Sequence, residues 1–234
     1  MDFKKYIASL QETIEDKKAF SLKFFIIDHD TQKKIEAAIN LIFQKYFEIE
    51  MSGIIYTCVK ELLINGSKAN LKRVLFERDE LNIDDDNDYL NGMMEFRNIL
   101  NESSYHKFLR DLKKSDYWVN LKFEYNENGM RVTVINNAHI AHLEEKRLRD
   151  KLKRAMKYED IAQFYIDQGD EMEGAGMGIA LIVMLLKGIG IDPSLFRIGN
   201  TPENRTFARI EIPFNENYVP IRRAYNKSHR RNGD

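Results

Sequence analysis

The sequence predicts an α+β domain: a two-layer sandwich in which an antiparallel-rich mixed sheet is covered on one face by helices. Three observations predict it. Apolar residues at helical spacing open the chain, two runs of apolar–polar alternation meet at an Asn-Gly pair near its middle, and a glycine-rich stretch runs directly into an apolar helix near its end.

Within residues 1–20, Phe3, Tyr6, Ile7, Leu10 and Ile14 recur three and four apart among charged residues, the stripe of an amphipathic helix. Ser21 to Ile27 reads as a buried strand, and Asp28 or Asp30 can cap a helix whose Ile35, Ala38, Ile39, Ile42 and Phe43 share one face. A second helix, Ser52 to Ala69, is apolar on most sides, which places it centrally in the helical layer, so its polar residues need a reason. From 71 to 116 the chain is charged and helical in pattern, an insertion into the domain spanning 21–214. Val119 to Tyr125 and Met130 to Ile135 form a β-hairpin, with Asn128-Gly129 expected to supply left-handed turn residues. Residues 143–166 return to charged helix, Gly174 to Leu186 is glycine-rich and then apolar, and Leu195 to Ile198 with Thr206 to Ile212 close as a strand pair around Thr201-Pro202. The tail, 215–234, is basic through Arg222, Arg223, Arg230 and Arg231 and is expected to be mobile.

A chain of 234 residues with 43% hydrophobic content is most simply one domain carrying an inserted subdomain. A formal net charge of -1 provides no global field toward nucleic acid or an anionic membrane, so any charged ligand must be met locally. Cys58 is the only cysteine, which excludes an internal disulfide and a cysteine-built zinc cluster. The start Met1-Asp2-Phe3-Lys4-Lys5 has no signal-peptide apolar core, and the longest apolar run, Ile179 to Leu186, falls short of the ~20 residues of a membrane helix. A cytoplasmic location is expected.

Two motifs carry chemistry. Glu61, Asn65 and Lys68 stand four and three apart on one helical face, so a carboxylate, an amide and an ammonium point together. Such a trio suits Mg-nucleotide chemistry: the carboxylate activates a hydroxyl or water, the amide oxygen ligates Mg²⁺ and the ammonium meets phosphate. The bland alternative is a solvated face. In Glu173-Gly174-Ala175-Gly176-Met177-Gly178, every second residue from 174 is glycine, letting backbone N–H groups approach an anion at a helix N-terminus. No Lys-Ser or Lys-Thr pair follows, so this is not a P-loop.

In this order the two motifs resemble those of the gyrase, heat-shock chaperone, histidine kinase and MutL ATP-binding superfamily. Glu61 to Ala69 is similar to its asparagine motif, Gly174 to Leu181 to its last glycine box, and Asn204 to Pro213 to its terminal strand with an adenine-network threonine. The resemblance implies ATP and Mg²⁺ as ligands, with Glu61 as catalytic carboxylate, Asn65 on the metal and Lys68 near phosphate. It further implies Asn136 and Thr206 at adenine, and Gly174, Gly176, Met177 and Gly178 around the phosphates.

Glutamate four residues before the asparagine resembles gyrase, MutL and anti-sigma serine kinases, and the strand–helix–motif order resembles the last of these. Lys68 is closer to histidine kinases. Where the superfamily has an adenine-binding aspartate followed by glycine, this chain has Asn136 and Ala138. A charge-assisted acceptor worth about 1.5–3 kcal/mol thereby becomes a neutral one of about 0.5–1.5, and a loss near ~1 kcal/mol is roughly fivefold in affinity.

The implied function is an ATP-dependent protein kinase or switch acting on a regulatory partner protein. The alternatives are a degenerate domain serving as a protein-binding scaffold, or a histidine kinase catalytic domain acting in trans. Homodimerisation stays open.

Other features carry less. Asp84, Asp86, Asp88 and Glu95 match a calcium-loop template, but Tyr89 stands where its sharp turn needs glycine. His29, between Asp28 and Asp30, sits where a helix is capped, not in a phosphoacceptor hairpin. The run Lys146, Arg147, Arg149, Lys151, Lys153 and Arg154, in the segment matching the superfamily's ATP lid, reads as a solvated helix face interleaved with acids.

Overall fold

The computed structural model describes residues 2–99, 108–159, 161–168 and 177–230. Helix α1 (Phe3–Glu15) is followed by strand β1 (Phe20–Phe24) and helix α2 (His29–Tyr46). Asp28 caps α2 by accepting the Thr31 N–H at 2.7 Å. β1 ends at Phe24, three residues before the apolar run does, because its partner begins at Val119 and leaves Phe25 to Ile27 nothing to pair with.

Helix α3 (Ser52–Arg78) passes the expected end at Ala69 because Leu71, Val74 and Leu75 continue its buried stripe. It stops where Glu80 takes a left-handed φ of 54° and the Leu81 N–H returns to the Phe76 carbonyl at 2.9 Å. Gly190, at a φ of 74°, ends the later helix Met177–Gly188 in the same way. Helices α4 (Asp86–Ile99) and α5 (Leu109–Lys114) follow.

The hairpin of β2 (Val119–Asn126) and β3 (Gly129–Asn136) pairs Asn126 with Gly129, so the turn is centred on Glu127-Asn128. Neither residue is left-handed, contrary to expectation; the Asn126 side chain closes the turn instead, accepting the Asn128 N–H at 2.8 Å and the Gly129 N–H at 3.2 Å. Glycine is required at 129 for another reason. A Cβ there would stand 2.2 Å from the Tyr218 ring and 2.7 Å from the Ile212 carbonyl.

Helices α6 (His142–Ala155) and α7 (Ile161–Gln168) replace one expected helix, and α8 (Met177–Gly188) leads through β4 (Phe196–Asn200) to β5 (Thr206–Pro213). The strand order is β1-β2-β3-β5-β4, and every described pairing is antiparallel, so the sheet is not mixed. Val119, Leu121, Phe123, Met130, Val132, Val134, Ala208 and Ile210 line its inner face, in one core with Ile39, Phe43, Val59, Leu63 and Ile182 from the helices. α3 crosses that face over β2 and β3. The segment expected to be a mobile tail turns back at Phe214, whose N–H meets the Asn128 carbonyl at 2.8 Å, and enters helix α9 (Ile221–Arg230). No described helix is long and apolar enough to cross a membrane.

Candidate functional site

Glu61, Asn65 and Lys68 lie on α3 where it meets the first turn of α8. A Cβ on Gly178 would stand 2.3 Å from Glu61 Oε2 and 3.2 Å from Asn65 Nδ2, so the glycine lets α8 approach both polar side chains. Asn65 Nδ2 is buried without a hydrogen-bond partner. Among the described residues, neither the Glu61 carboxylate nor the Lys68 ammonium has an ion-pair partner. A carboxylate, an amide and an ammonium on one face are thus left unused by the fold. Gly174 and Gly176 lie outside the described residues, as does the Met177 side chain.

The residue after Asn65 on α3, Gly66, is in ordinary contact with the sheet: a Cβ there would lie 3.5 Å from Val119 and 3.6 Å from Asn136 Oδ1. Asn136 ends β3, opposite Thr206 of β5, and is 3% exposed. Its amide group donates to Asn70 Oδ1 and to the Ala138 carbonyl, both at 3.3 Å. The Thr206 hydroxyl donates to the same carbonyl at 2.7 Å, and Asn70 donates to the Trp118 carbonyl at 2.9 Å. Asn137 accepts the Trp118 N–H at 2.8 Å, while Asn200 both accepts the Ile140 N–H at 2.7 Å and donates to its carbonyl at 3.0 Å. Asn136, Thr206 and Asn200 therefore satisfy backbone groups of Ala138 and Ile140, and Asn70 and Asn137 those of Trp118.

The same segment is held from below by buried charge. Arg73, 5% exposed, donates to the His139 carbonyl and pairs with Glu144 at 3.1 Å, and Lys72 pairs with the other Glu144 oxygen. Glu144 also accepts the Ala141 N–H at 3.0 Å, from three residues into α6. Burial pulls the Lys72 ammonium below its ordinary value. Burial pushes the Glu144 carboxyl up, but Lys72, Arg73 and the Ala141 N–H outweigh it and hold the group below the ordinary carboxylate range. Arg147 of the basic run lies over the Tyr89 ring, 5.1 Å from its centre.

The sequence reading missed Asn70, Asn137, Asn200, Arg73 and Glu144. The spacing of four from Gly66 to Asn70, on a helix otherwise apolar on most sides, was a usable signal for Asn70. The others depend on where a loop crosses a helix, which no periodicity records.

The acidic segment 84–95 has structural roles. Asp85 accepts the Asn87 and Asp88 N–H groups at the start of α4, Asp88 accepts the Asn82 N–H, and Glu95 pairs with Arg78. Among the described residues, no group of three metal-ligating side chains converges. Cys58 is buried, and burial pushes its thiol up to about 12.

No family model and no solved structure matches the chain. A protein of Treponema pallidum (strain Nichols) described as uncharacterized is 32% identical over 158 residues, which is 68% of this chain and 30% of that protein's length. The match thus spans less than a third of the relative.

Proposed function

We propose that this chain binds Mg·ATP as a Bergerat-type domain of the gyrase, chaperone, histidine kinase and MutL superfamily, and acts as a protein kinase or ATP-dependent switch on a regulatory partner, in the manner of anti-sigma serine kinases. The observation that carries this reading is the junction of α3 and α8. Among the described residues Glu61, Asn65 and Lys68 have no structural partner, Asn65 Nδ2 is buried and unsatisfied, and Gly178 leaves the space beside Glu61 and Asn65 clear of a side chain. A buried amide without a partner costs about 1–3 kcal/mol, and a ligand that satisfies it removes that cost.

These residues fit the nucleotide's charged end. Asn65 would hold Mg²⁺ through its amide oxygen, and Lys68 would meet phosphate oxygens. Bound ATP supplies the transferable phosphoryl group. Glu61 would take the proton of the attacking hydroxyl or water, with its carboxylate kept free of cations for that purpose.

The adenine end fits less well. Asn136 directs its amide group at Asn70 and Ala138, and Ala138 is 3% exposed, so the groups expected at the base are committed to one another. That observation favours a second reading, a domain that keeps the fold as a protein-binding scaffold without turnover. Calorimetric titration with ATP, ADP and GTP, with and without Mg²⁺, separates the two. Mg²⁺-dependent ATP binding lost in Asn65→Ala supports the first; no binding of any nucleotide leaves the second.

A further inference from the structure

The sheet has a second face, turned away from α3, that the proposed nucleotide site does not use. Register places Lys23, Asn120, Ile135, Phe207 and Gly199 in one row across the five strands, and Ser21, Lys122, Thr133, Arg209 and Arg197 in the next. Ile135 and Phe207 are half-buried direct neighbours at the centre. Trp118, just before β2, has the Lys23 ammonium 4.7 Å and the Arg205 guanidinium 5.5 Å from its ring centre.

A third row, Glu124, Arg131 and Glu211, is partly covered: the Tyr218 hydroxyl and the Ile221 N–H both donate to Glu211 at 2.9 Å. The two carboxylates of this row are occupied, Glu124 by Lys122 and Arg131, Glu211 by Arg209. Among the described residues, Lys23, Arg197 and Arg205 have no ion-pair partner. A chain with a formal net charge of -1 therefore presents one face with an apolar centre and unpaired cations around it. The global balance conceals this segregation.

We propose that this outer face docks an acidic segment of a partner protein, with one apolar side chain over Ile135 and Phe207 and carboxylates at Lys23, Arg205 and Arg197. Charge complementarity selects the occupant. A nucleic-acid strand would need bare aromatic faces for its bases, whereas Trp118 already has two cations against its ring and Arg209 lies 6.0 Å from the centre of Phe207. The lower row offers a phosphate backbone no free cation, because Lys122, Arg131 and Arg209 are paired with Glu124 and Glu211, while a peptide can place its carboxylates selectively. Strands spaced about 4.8 Å make a five-strand face roughly 19 Å wide, the length of about six extended residues. Such a contact is far below the ~800 Å² per partner of a standard interface, so the occupant is a segment and its binding is salt-sensitive. The proposal is independent of the nucleotide reading, because the face lies across the sheet from Glu61 and Asn65.

Trp118 is the only tryptophan of the chain and reports directly on this face. The test titrates its fluorescence with a peptide of about ten residues, one leucine between two runs of glutamate and aspartate. The comparisons are the peptide with serine in place of leucine, a lysine version and an oligouridylate of about ten nucleotides. The acidic leucine peptide is expected to shift the emission, to weaken at least tenfold on raising salt from ~50 to ~200 mM, and to bind at least tenfold less tightly to Arg197→Glu, a variant remote from the reporter. An absent response, equal binding of the serine peptide, or wild-type affinity in Arg197→Glu overturns the proposal. Tighter binding of the oligouridylate replaces the protein segment with a nucleic acid. Asn65→Ala is expected to leave every one of these titrations unchanged, which keeps this test separate from the ATP titration.

Discussion

Two adjoining stretches of α3 treat polar side chains in opposite ways. Around Asn70 and Arg73, the strand ends and the segment 136–144 are tied together by asparagine, threonine, arginine and glutamate groups that find partners, although Arg73 engages them through Nη2 alone and its Nε and Nη1 stay buried without one. Around Glu61 and Asn65, earlier on the same helix, no such partners occur among the described residues, and Asn65 Nδ2 is buried and unsatisfied. Both stretches lie on one continuous helix, so local folding does not account for the difference. The paired stretch fixes the shape of a loop; the unpaired stretch is conspicuous because stability alone would have paired it or replaced it with apolar residues.

The largest expected effect breaks the paired side. Glu144→Ala leaves Lys72 and Arg73 buried against each other, a loss of about 3–5 kcal/mol, which at about 2–4 °C per kcal/mol lowers Tm by roughly 6–20 °C. Glu144→Gln sharpens the point through pH. The folded carboxyl is held below its unfolded value, so the unfolded chain takes up the proton first; the stabilisation is present above the ordinary carboxylate range and disappears as pH falls through the folded value. Acid melting curves of Glu144→Gln are expected to lack that part of the decline. An acid limb as steep as that of the wild type would mean that Glu144 does not anchor the segment.

Asn136→Asp comes next. Restoring the superfamily's aspartate looks favourable from sequence, by about 1 kcal/mol in ATP affinity. In the folded chain it removes both donors of the Asn136 amide and sets a carboxylate against Asn70 Oδ1 and the Ala138 carbonyl. The expected cost is about 1–3 kcal/mol of stability, read by urea melting. A variant as stable as wild type would show that the amide network is dispensable and its aspartate position open.

Much of this contrast was legible in the sequence. Helical spacing put Glu61, Asn65 and Lys68 on one face, and alternation ran a strand to Ile135, next to Asn136, whose pairing with Thr206 the structure supplies. The direction in which Asn136 spends its amide was not legible, because that depends on Asn70, which arrives from a helix 66 residues earlier in the chain. The hairpin shows the same limit. Its strands followed from alternation, but its turn was placed one residue late because Asn-Gly is a turn signal in general, whereas here glycine is needed for the Tyr218 ring and Asn126 makes the turn.

Smaller effects are expected on the unpaired side. Gly178→Ala introduces a Cβ against the far end of the Glu61 side chain, which can swing away, and alanine is favoured over glycine in a helix by up to about 1 kcal/mol. Tm is therefore expected to move by no more than a few degrees, while phosphoryl transfer or ATP hydrolysis falls at least tenfold because the carboxylate is displaced. Retained turnover would detach Glu61 from the chemistry. Asn65→Ala is expected to change stability least, by about 0.5 kcal/mol or less, since the relief of an unsatisfied buried amide is offset by the packing that the shortened side chain gives up. A drop of several kcal/mol in chemical denaturation would place Asn65 with the paired residues after all.

The strand order has a consequence of its own. With β1 and β4 outermost, the two rims of the sheet are its two five-residue strands; among the eight-residue strands β3 is paired on both sides throughout, and β2 and β5 are so paired over Val119–Phe123 and Thr206–Ile210. A rim offers unpaired backbone groups on which another chain can polymerise. Short rims offer few of them, and Lys23 on one and Arg197 on the other add a charge to each. Most of the length of the long strands is thus kept inside the sheet, and the chain meets its neighbours in a crowded solution with short, like-charged edges.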